Sequence, residues 1–151
     1  MKQKTDVNRS THTSFKFLVM HTVPNEIKQF ITEEPTFPNS RWFTLNENIG
    51  SVYLRRGTRR VDGSKKNFIT IANIQIKERY RGKRLFSLFV KELQELIKGT
   101  NYVGLYAECV HNVILQSYFT RHGWNTDHNY SDGTNVVEHN YWLVVCVTRW
   151  S

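Results

Sequence analysis

Five cationic side chains stand at the junction between an apolar stretch and an amphipathic one. The segment IKERYRGKRLF, residues 76–86, contains Lys77, Arg79, Arg81, Lys83 and Arg84, and a helical pattern, SLFVKELQELIKG, follows at once. Because like charges repel one another, so dense a cluster favours an anionic ligand that neutralises it. Phosphate groups suit such side chains well. The other interpretation is that the charges are simply solvated.

The positive charge of the chain is concentrated around this junction. The chain has 151 residues and a formal net charge of +8. Twelve of its 21 lysines and arginines lie between Arg55 and Lys91, a segment with two acids and a net charge of +10, whereas the rest of the chain carries −2. This distribution indicates an anionic ligand on one part of the surface. It is also compatible with two solvated basic surfaces that are adjacent only in sequence.

The elements on either side of the basic junction decide where these charges lie. Lys66–Lys77 predicts a central strand, because both of its alternating faces are largely apolar. Leu85–Ile97 has helical spacing, and Gly99 is a natural stop. The first amide groups of this helix point into the basic loop, and the helix dipole adds a partial positive charge. We therefore predict a phosphate cradle, although neither GxxxxGK[ST] nor GxGxxG occurs in the chain.

The remaining pattern predicts a single α/β domain with a mixed central sheet flanked by helices on both faces. Residues 1–13 are polar and aperiodic and predict a flexible tail, which leaves 14–151 for the domain. The other predicted strands are Ser14–Thr22, Ile49–Arg56, Tyr102–Glu108 and Tyr141–Trp150, the other predicted helices are Asn25–Thr32 and Asn112–His122, and the predicted turn or irregular segments are 33–48, 60–66 and 125–140. In the first irregular segment, Trp42, Phe43 and Leu45 are expected to pack inward.

Several classes of protein and site are not favoured by the sequence. No apolar run reaches the roughly 18 residues of a membrane-spanning helix, and no convincing signal peptide is present, so a cytoplasmic location is the default expectation. The two cysteines, Cys109 and Cys146, indicate neither a disulfide framework nor a zinc site, and Cys109 is expected to be buried and inert. No metal is expected either, because the candidate ligands lack tight spacing: His122, His128, His139 and Asp127.

Two stretches of the chain resemble motifs of the GNAT N-acetyltransferases. In that family a strand ending V-x-P-x-Y leads into a loop [RQ]-x-x-G-x-[GA], which residues 76–86 resemble, with RGKRLF in the loop. Residues 112–124, NVILQSYFTRHGW, resemble the second motif, N-x-x-A-x-x-x-Y-x-x-x-G-F. One helix and one strand separate the two motifs, as in the family. With the order of the strands, the resemblance covers residues 15–150.

The resemblance implies an enzyme that moves acetyl from acetyl-CoA to a primary amine, by direct attack in a ternary complex. The backbone near Ile74, Gln75 and Ile76 is expected to pair with the pantetheine arm and to donate to the carbonyl oxygen as it gains charge. Asn112 is expected to contact the coenzyme or to hold the start of its helix. The loop is expected to hold the pyrophosphate through Arg81, Gly82, Lys83, Arg84, Leu85 and Phe86.

Two positions depart from the family pattern. Arg84 stands where the family loop has glycine, which lets the backbone approach pyrophosphate closely. Phe119 stands at the family tyrosine that is often proposed to protonate the leaving thiolate, and is expected to contact the coenzyme instead. Either Tyr118 is reached by local distortion, or another acid or water serves. Glu108 and His111, at the end of the next strand, are the candidates for the base that takes the proton of the amine.

The segment LRRGTRRVDGSKK, residues 54–66, is a second basic feature. It predicts either a solvated hairpin whose charges resist edge-to-edge aggregation, or an arm that binds an acidic substrate or nucleic acid phosphates. The substrate-binding candidates on this arm are Arg55, Arg56, Arg59 and Arg60.

The basic arm favours an amine on a macromolecule with an acidic surface, such as a protein lysine or N-terminus. Two alternatives stay open. The acceptor could be an aminoacyl-tRNA or another amine associated with nucleic acid, or the chain could be a module that binds coenzyme or nucleic acid without catalysis. No membrane partner is indicated, and a homodimer is compatible with the sequence.

Overall fold

A mixed sheet of six strands organises the structure. The computed structural model describes residues 21–33, 38–130 and 137–145. In chain order, the elements are α1 (Asn25–Thr32), β1 (Ser40–Thr44), β2 (Gly50–Val61), β3 (Ser64–Ile76), α2 (Leu85–Ile97), β4 (Gly104–Ala107), α3 (Val113–Arg121), β5 (Asn125–Tyr130) and β6 (Val137–Val144), with short 3₁₀ turns at Asn46–Asn48 and Glu78–Tyr80. The predicted mixed α/β fold is confirmed.

The strand order is β1-β2-β3-β4-β6-β5. Only β3 and β4 run parallel, and the other neighbours pair antiparallel. A parallel pair needs a crossover connection, and α2 supplies it. The loop that enters α2 and the loop that leaves β4 therefore both lie at the carboxyl ends of this parallel pair, which is where ligands bind in open α/β sheets.

The larger core lies between the helices and one face of the sheet. Ile27, Phe30 and Ile31 of α1 recur at helical spacing and are buried in it. The buried side chains of α2 follow the same rule: Leu85, Phe89, Val90, Leu93 and Ile97. Glu92 of α2 accepts hydrogen bonds from the backbone amide and the hydroxyl of buried Thr22, both at 2.7 Å, which fixes the chain entering α1.

The other face of the sheet carries a smaller apolar cluster of Val61, Phe68, Tyr106 and Trp142. Side chains alternate along a strand, so neighbours of these residues, such as Ile69 and Leu105, point into the larger core. We expected helices on both faces. Among the described residues, all three helices contribute side chains to the larger core, and polar and aromatic side chains occupy much of the opposite face.

The prediction of a polar loop over residues 125–140 is wrong. Most of this segment forms β5 and the start of β6, which pair antiparallel with Asp127 opposite Asn140. The strand at the edge of a sheet is stabilised by backbone pairing and does not need apolar residues on both faces, so its polar composition concealed it. Strand β6 also starts earlier than the predicted Tyr141, and the end of that predicted strand lies outside the described residues.

Two further expectations about the sheet are corrected. Segment 33–48 is not wholly irregular, since it contains β1. Phe43 and Leu45 are buried as expected, but Trp42 is 50% exposed because it lies on the opposite face of β1. The tail at residues 1–13 and most of the predicted strand Ser14–Thr22 lie outside the described residues. None of the helices that the structure describes is long and apolar enough to cross a membrane.

Candidate active site

Strands β3 and β4 part at a β-bulge. Their parallel register ends at Ile71 and Ala107. The next residue of β3, Ala72, is skipped in the pairing with β2, whose Leu54 and Tyr53 pair with residues 71 and 73. A bulge bends its strand and disrupts the local ladder. The last part of β3 therefore keeps its pairing with β2, while its other edge turns away from β4.

The parted strands enclose a cleft of about 350 Å³ between β3 and the connection from β4 to α3. Its lining comprises Ile71, Ala72, Asn73, Ile74, Phe86, Ala107, Glu108, Cys109, Val110, His111, Asn112, Leu115 and Phe119. Six residues that the sequence singled out are thus brought together: Ile74, Phe86, Glu108, His111, Asn112 and Phe119. Other candidates lie outside this lining: Gln75, Ile76, Arg81, Gly82, Lys83, Arg84, Leu85 and Tyr118.

A compact basic turn connects β3 to α2. The amide of Tyr80 donates to the carbonyl of Lys77 at 2.8 Å, and Gly82 adopts a positive φ of 76°. The Nε of Arg81 donates to the carbonyl of Ile76 at 2.9 Å, which ties the arginine to the end of β3. A guanidinium has five N–H donors, so this bond leaves the terminal amino groups of Arg81 for an anion.

The N-terminus of α2 follows this turn and presents backbone amides. Arg84 is the residue before the helix, has the left-handed conformation (φ 61°, ψ 21°), and makes no side-chain capping bond. The first helical bond runs from the amide of Leu88 to the carbonyl of Arg84 at 3.1 Å. The amides of Leu85, Phe86 and Ser87 therefore precede the helical ladder. Together with exposed Arg84, they suit an anion.

Glu108 is held by two arginines of β2. Its two carboxylate oxygens accept hydrogen bonds from Arg55 Nη1 and Arg59 Nη2, and its side chain is 13% exposed. The guanidinium of Arg59 also lies 4.5 Å from the ring centroid of Tyr106. Because β3 lies between β2 and β4, these ion pairs bridge the sheet at the point where β3 and β4 part.

The connection after β4 places three polar residues along the cleft. His111 and Asn112 are exposed, and Asn112 Oδ1 caps α3 by accepting from the amides of Ile114 at 2.8 Å and Leu115 at 3.2 Å. The expectation that Cys109 is buried is wrong. It is exposed, because its left-handed backbone (φ 53°) turns the chain out of β4.

Tyr118 and Phe119 lie on different sides of α3. Phe119 lines the cleft and contacts the rings of Phe86, Trp124 and Tyr141. Tyr118 is buried and its hydroxyl makes a hydrogen bond with Ser87 in the first turn of α2. Burial raises the pKa of Tyr118, and the bond with Ser87 lowers it in part.

The arginines of the basic arm point in different directions. Arg56 lies on the helix side of β2 and donates to the carbonyls of Phe30 at 2.9 Å and Pro38 at 3.1 Å, so it ties α1 and its exit to the sheet. Arg60 donates to the carbonyl of Gly63 at 3.2 Å within the hairpin turn. Only Arg55 and Arg59 of the four candidates contact Glu108 at the cleft.

Two features of the cleft were missed in the sequence. Ala72 carries no signal of a bulge, because an alanine in a strand pattern looks ordinary, and Asn73 was noted only as a polar residue of the central strand. Both become visible only when β2 and β3 are paired. Among the described residues there is no group of three histidine, cysteine or acidic side chains that could hold a metal ion.

No protein-family model matches the sequence, and no curated protein matches it. Solved structures do resemble the fold. A tyrosine-to-phenylalanine mutant of the toxin AtaT, bound to the C-terminus of the antitoxin AtaR and acetyl-CoA, has a TM-score of 0.53 at 16% identity, covering 70% of this chain and 68% of that one. A protein described as a GNAT-family acetyltransferase from Desulfovibrio desulfuricans has a TM-score of 0.54 at 14% identity, covering 72% and 70%.

A third similar structure is a nourseothricin acetyltransferase, with a TM-score of 0.52 at 17% identity, covering 75% of this chain and 69% of that one. Identities this low show a common fold. They agree with the motif resemblance and with the parting of β3 and β4 beside the N-terminus of α2. The chain therefore has the fold of the GNAT acetyltransferases.

Proposed function

We propose that this protein is an N-acetyltransferase that moves acetyl from acetyl-CoA to a primary amine in a ternary complex. The observation that carries the proposal is the position of the cleft. It opens where β3 leaves β4, directly beside the basic turn and the free amides at the start of α2. One element thus offers a strand edge for an extended arm, and the next offers an anion site for its phosphates.

The proposed coenzyme position follows from these two features. The pyrophosphate lies on the amides of Leu85 and Phe86, with Arg81 and Arg84 as cationic partners. The pantetheine arm runs along the edge of β3 at Ile74–Ile76, the edge that pairs with β4 earlier in the strand. Phe86 and Phe119 supply apolar contacts in the cleft. The similar AtaT structure contains acetyl-CoA, which supports this choice of coenzyme.

The proposed reaction forms a carbon–nitrogen bond and breaks the carbon–sulfur bond of the thioester. The amine must lose a proton, and the thiolate must gain one or be stabilised. We assign the base to His111 rather than Glu108, because His111 is exposed in the cleft while both oxygens of Glu108 are engaged by arginines. Tyr118 is the proposed proton donor, through its contact with Ser87 beside the proposed coenzyme site.

Release of free CoA in the presence of amines tests the proposal. His111→Ala should lower turnover by roughly 10²-fold, because a positioned base contributes about that much or more. The variant should also lose the acidic limb of the pH–rate profile while acetyl-CoA affinity is retained.

His122→Ala is the matched control, since His122 is exposed at the end of α3 and lies outside the cleft lining. Its turnover should match the unmodified protein. Equal turnover of His111→Ala and the unmodified protein across the pH range would remove His111 from the role of base.

A second candidate is a module that binds the coenzyme without turning it over. Two observations favour it: Phe119 cannot donate a proton where the resembled family has tyrosine, and Glu108 is engaged by two arginines. Saturable binding of acetyl-CoA with no thiol release for any amine, whether on peptide, small molecule or nucleic acid, would favour this candidate over the enzyme.

A further inference from the structure

Aromatic and cationic side chains meet on the face of the sheet opposite the larger core. Trp42 of β1 and Tyr53 of β2 are Cα partners, with ring centroids 5.3 Å apart and ring planes inclined by 41°. The guanidinium of Arg55 lies 5.5 Å from the ring centroid of Tyr53. We call Trp42, Tyr53 and Arg55 the platform. It presents an indole that is half exposed next to a cation.

The platform is held in place by its neighbours. The hydroxyl of Tyr53 shares a hydrogen bond with the hydroxyl of Ser40 at 3.0 Å, and Arg55 is fixed by Glu108. The side chain of Arg55 is 47% exposed, and its bond to Glu108 uses one of five donors. Rings and a guanidinium that are already oriented lose less conformational freedom when a ligand binds.

The surroundings of the platform select an anionic partner. Residues 55–66 hold six cations and one acid, and Arg60 and Lys65 near the tip of the hairpin are exposed. An acidic peptide would satisfy this charge but would not require an exposed indole and phenol side by side. A ligand that combines planar rings with phosphates satisfies both, since bases stack on aromatic rings and phosphates pair with arginine.

The platform lies close to the cleft. Tyr53 is the Cα partner of Asn73, which lines the cleft, and neighbouring strands are about 4.8 Å apart. Trp42 is one strand further away. A base stacked on Trp42 and Tyr53 would therefore hold the adjoining nucleotide over Asn73, on the side of the sheet opposite α2.

We infer that the amine acceptor is carried on, or held beside, a single-stranded nucleic acid whose base stacks on Trp42 and Tyr53 and whose phosphate pairs with Arg55. The inference rests on the proposed acetyl transfer and names the class of its acceptor. A single strand is required because the bases of a duplex are already stacked on each other and offer no free ring face.

The test is the affinity of the full chain for a labelled single-stranded oligoribonucleotide of about ten nucleotides, a length within the range that small single-strand-binding domains cover. Fluorescence anisotropy measures the affinity. Trp42→Ala should weaken binding roughly tenfold or more, as removal of one stacked aromatic ring does, while Trp42→Phe should keep most of the affinity because a ring remains.

Two controls separate stacking and local pairing from bulk charge. Arg55→Ala should weaken binding several-fold more than Arg121→Ala, which removes the same charge from an exposed position on α3. A duplex of the same sequence should bind more weakly than the single strand. Equal affinity of Trp42→Ala and the unmodified protein would overturn the inference, and so would equal binding of the duplex or preferential binding of an acidic peptide.

The failures of the two proposals are distinguishable. Calorimetry with acetyl-CoA on the same preparation reports the coenzyme site independently. Binding of acetyl-CoA without measurable binding of the oligonucleotide would overturn the acceptor inference and leave the proposed acetyl transfer standing. Absence of acetyl-CoA binding would overturn the proposed function itself and, with it, the assignment of the nucleic acid as acceptor.

Discussion

Arg84 has a left-handed backbone conformation (φ 61°) at the start of α2, where the resembled family has glycine. A non-glycine residue in this conformation costs roughly 1–2 kcal/mol. The chain thus keeps the backbone geometry of a glycine loop while adding a cation beside the amides of Leu85 and Phe86. This arrangement favours a role for Arg84 in holding phosphate, and it exposes a strained position to a direct test.

Arg84→Gly should raise the free energy of unfolding by about 0.5–1 kcal/mol, because relief of the left-handed strain exceeds the extra flexibility of glycine in the unfolded chain. Urea unfolding measures this change. Lys83→Gly is the matched control and should lower stability by about 0.5 kcal/mol, since Lys83 is absent from the positive-φ residues of the described chain. A loss of stability in Arg84→Gly would contradict the backbone conformation described for this turn.

Some individual positions could be predicted from the sequence and others could not. The capping role of Asn112 and the place of Arg84 before α2 follow from local sequence, because capping and helix entry are decided within a few residues. The ion pairs of Glu108 and the contact between Trp42 and Tyr53 depend on which strands become neighbours. That pairing is set by long-range packing, so a local pattern does not contain it.

At the scale of elements, the helices were predicted best. Helix α1 has the predicted bounds, and α2 and α3 agree to within one residue at each end, because helical spacing and flanking glycines mark them. Strand β2 runs to Val61, beyond the predicted Arg56, since its charged end is stabilised by backbone pairing with β3. Polar β5 was missed for the same reason.

Elements around β4 and α3 bury three tyrosines. Burial raises the pKa values of Tyr102, Tyr106 and Tyr118 above their ordinary value of 10.0, and the hydrogen bond from Tyr106 to Asp127 (2.5 Å) raises that of Tyr106 further. Above pH 10.0 the unfolded chain loses these protons first and so binds fewer protons than the folded protein. The free energy of unfolding should then be fully maintained below that pH and should fall as the pH rises.

Urea unfolding at a series of alkaline pH values measures this dependence. Tyr106→Phe should fall less steeply than the unmodified protein, because one raised group has been removed from the linkage. Ultraviolet titration of the folded protein offers an independent check. If all tyrosines ionised together near 10.0 in the native state, the burial described for these three side chains would be contradicted.

At the scale of the molecule, the two faces of the sheet divide the work. The helix-bearing face builds the larger core and brings the start of α2 to the cleft. The opposite face carries a continuous series of contacts, in the order Trp42, Tyr53, Arg55, Glu108, Arg59, Tyr106 and Asp127. The cleft opens between them where β3 and β4 part, so a coenzyme and an acceptor could approach from different sides.

The most direct test of this account is calorimetric titration of the protein with acetyl-CoA, with ATP titrated in parallel. The account predicts saturable binding of acetyl-CoA at one site and much weaker binding of ATP, because ATP supplies phosphates for the start of α2 but no pantetheine arm for β3. Equal binding of the two ligands would reduce the site to a general phosphate cradle. No detectable binding of acetyl-CoA would contradict the proposed function.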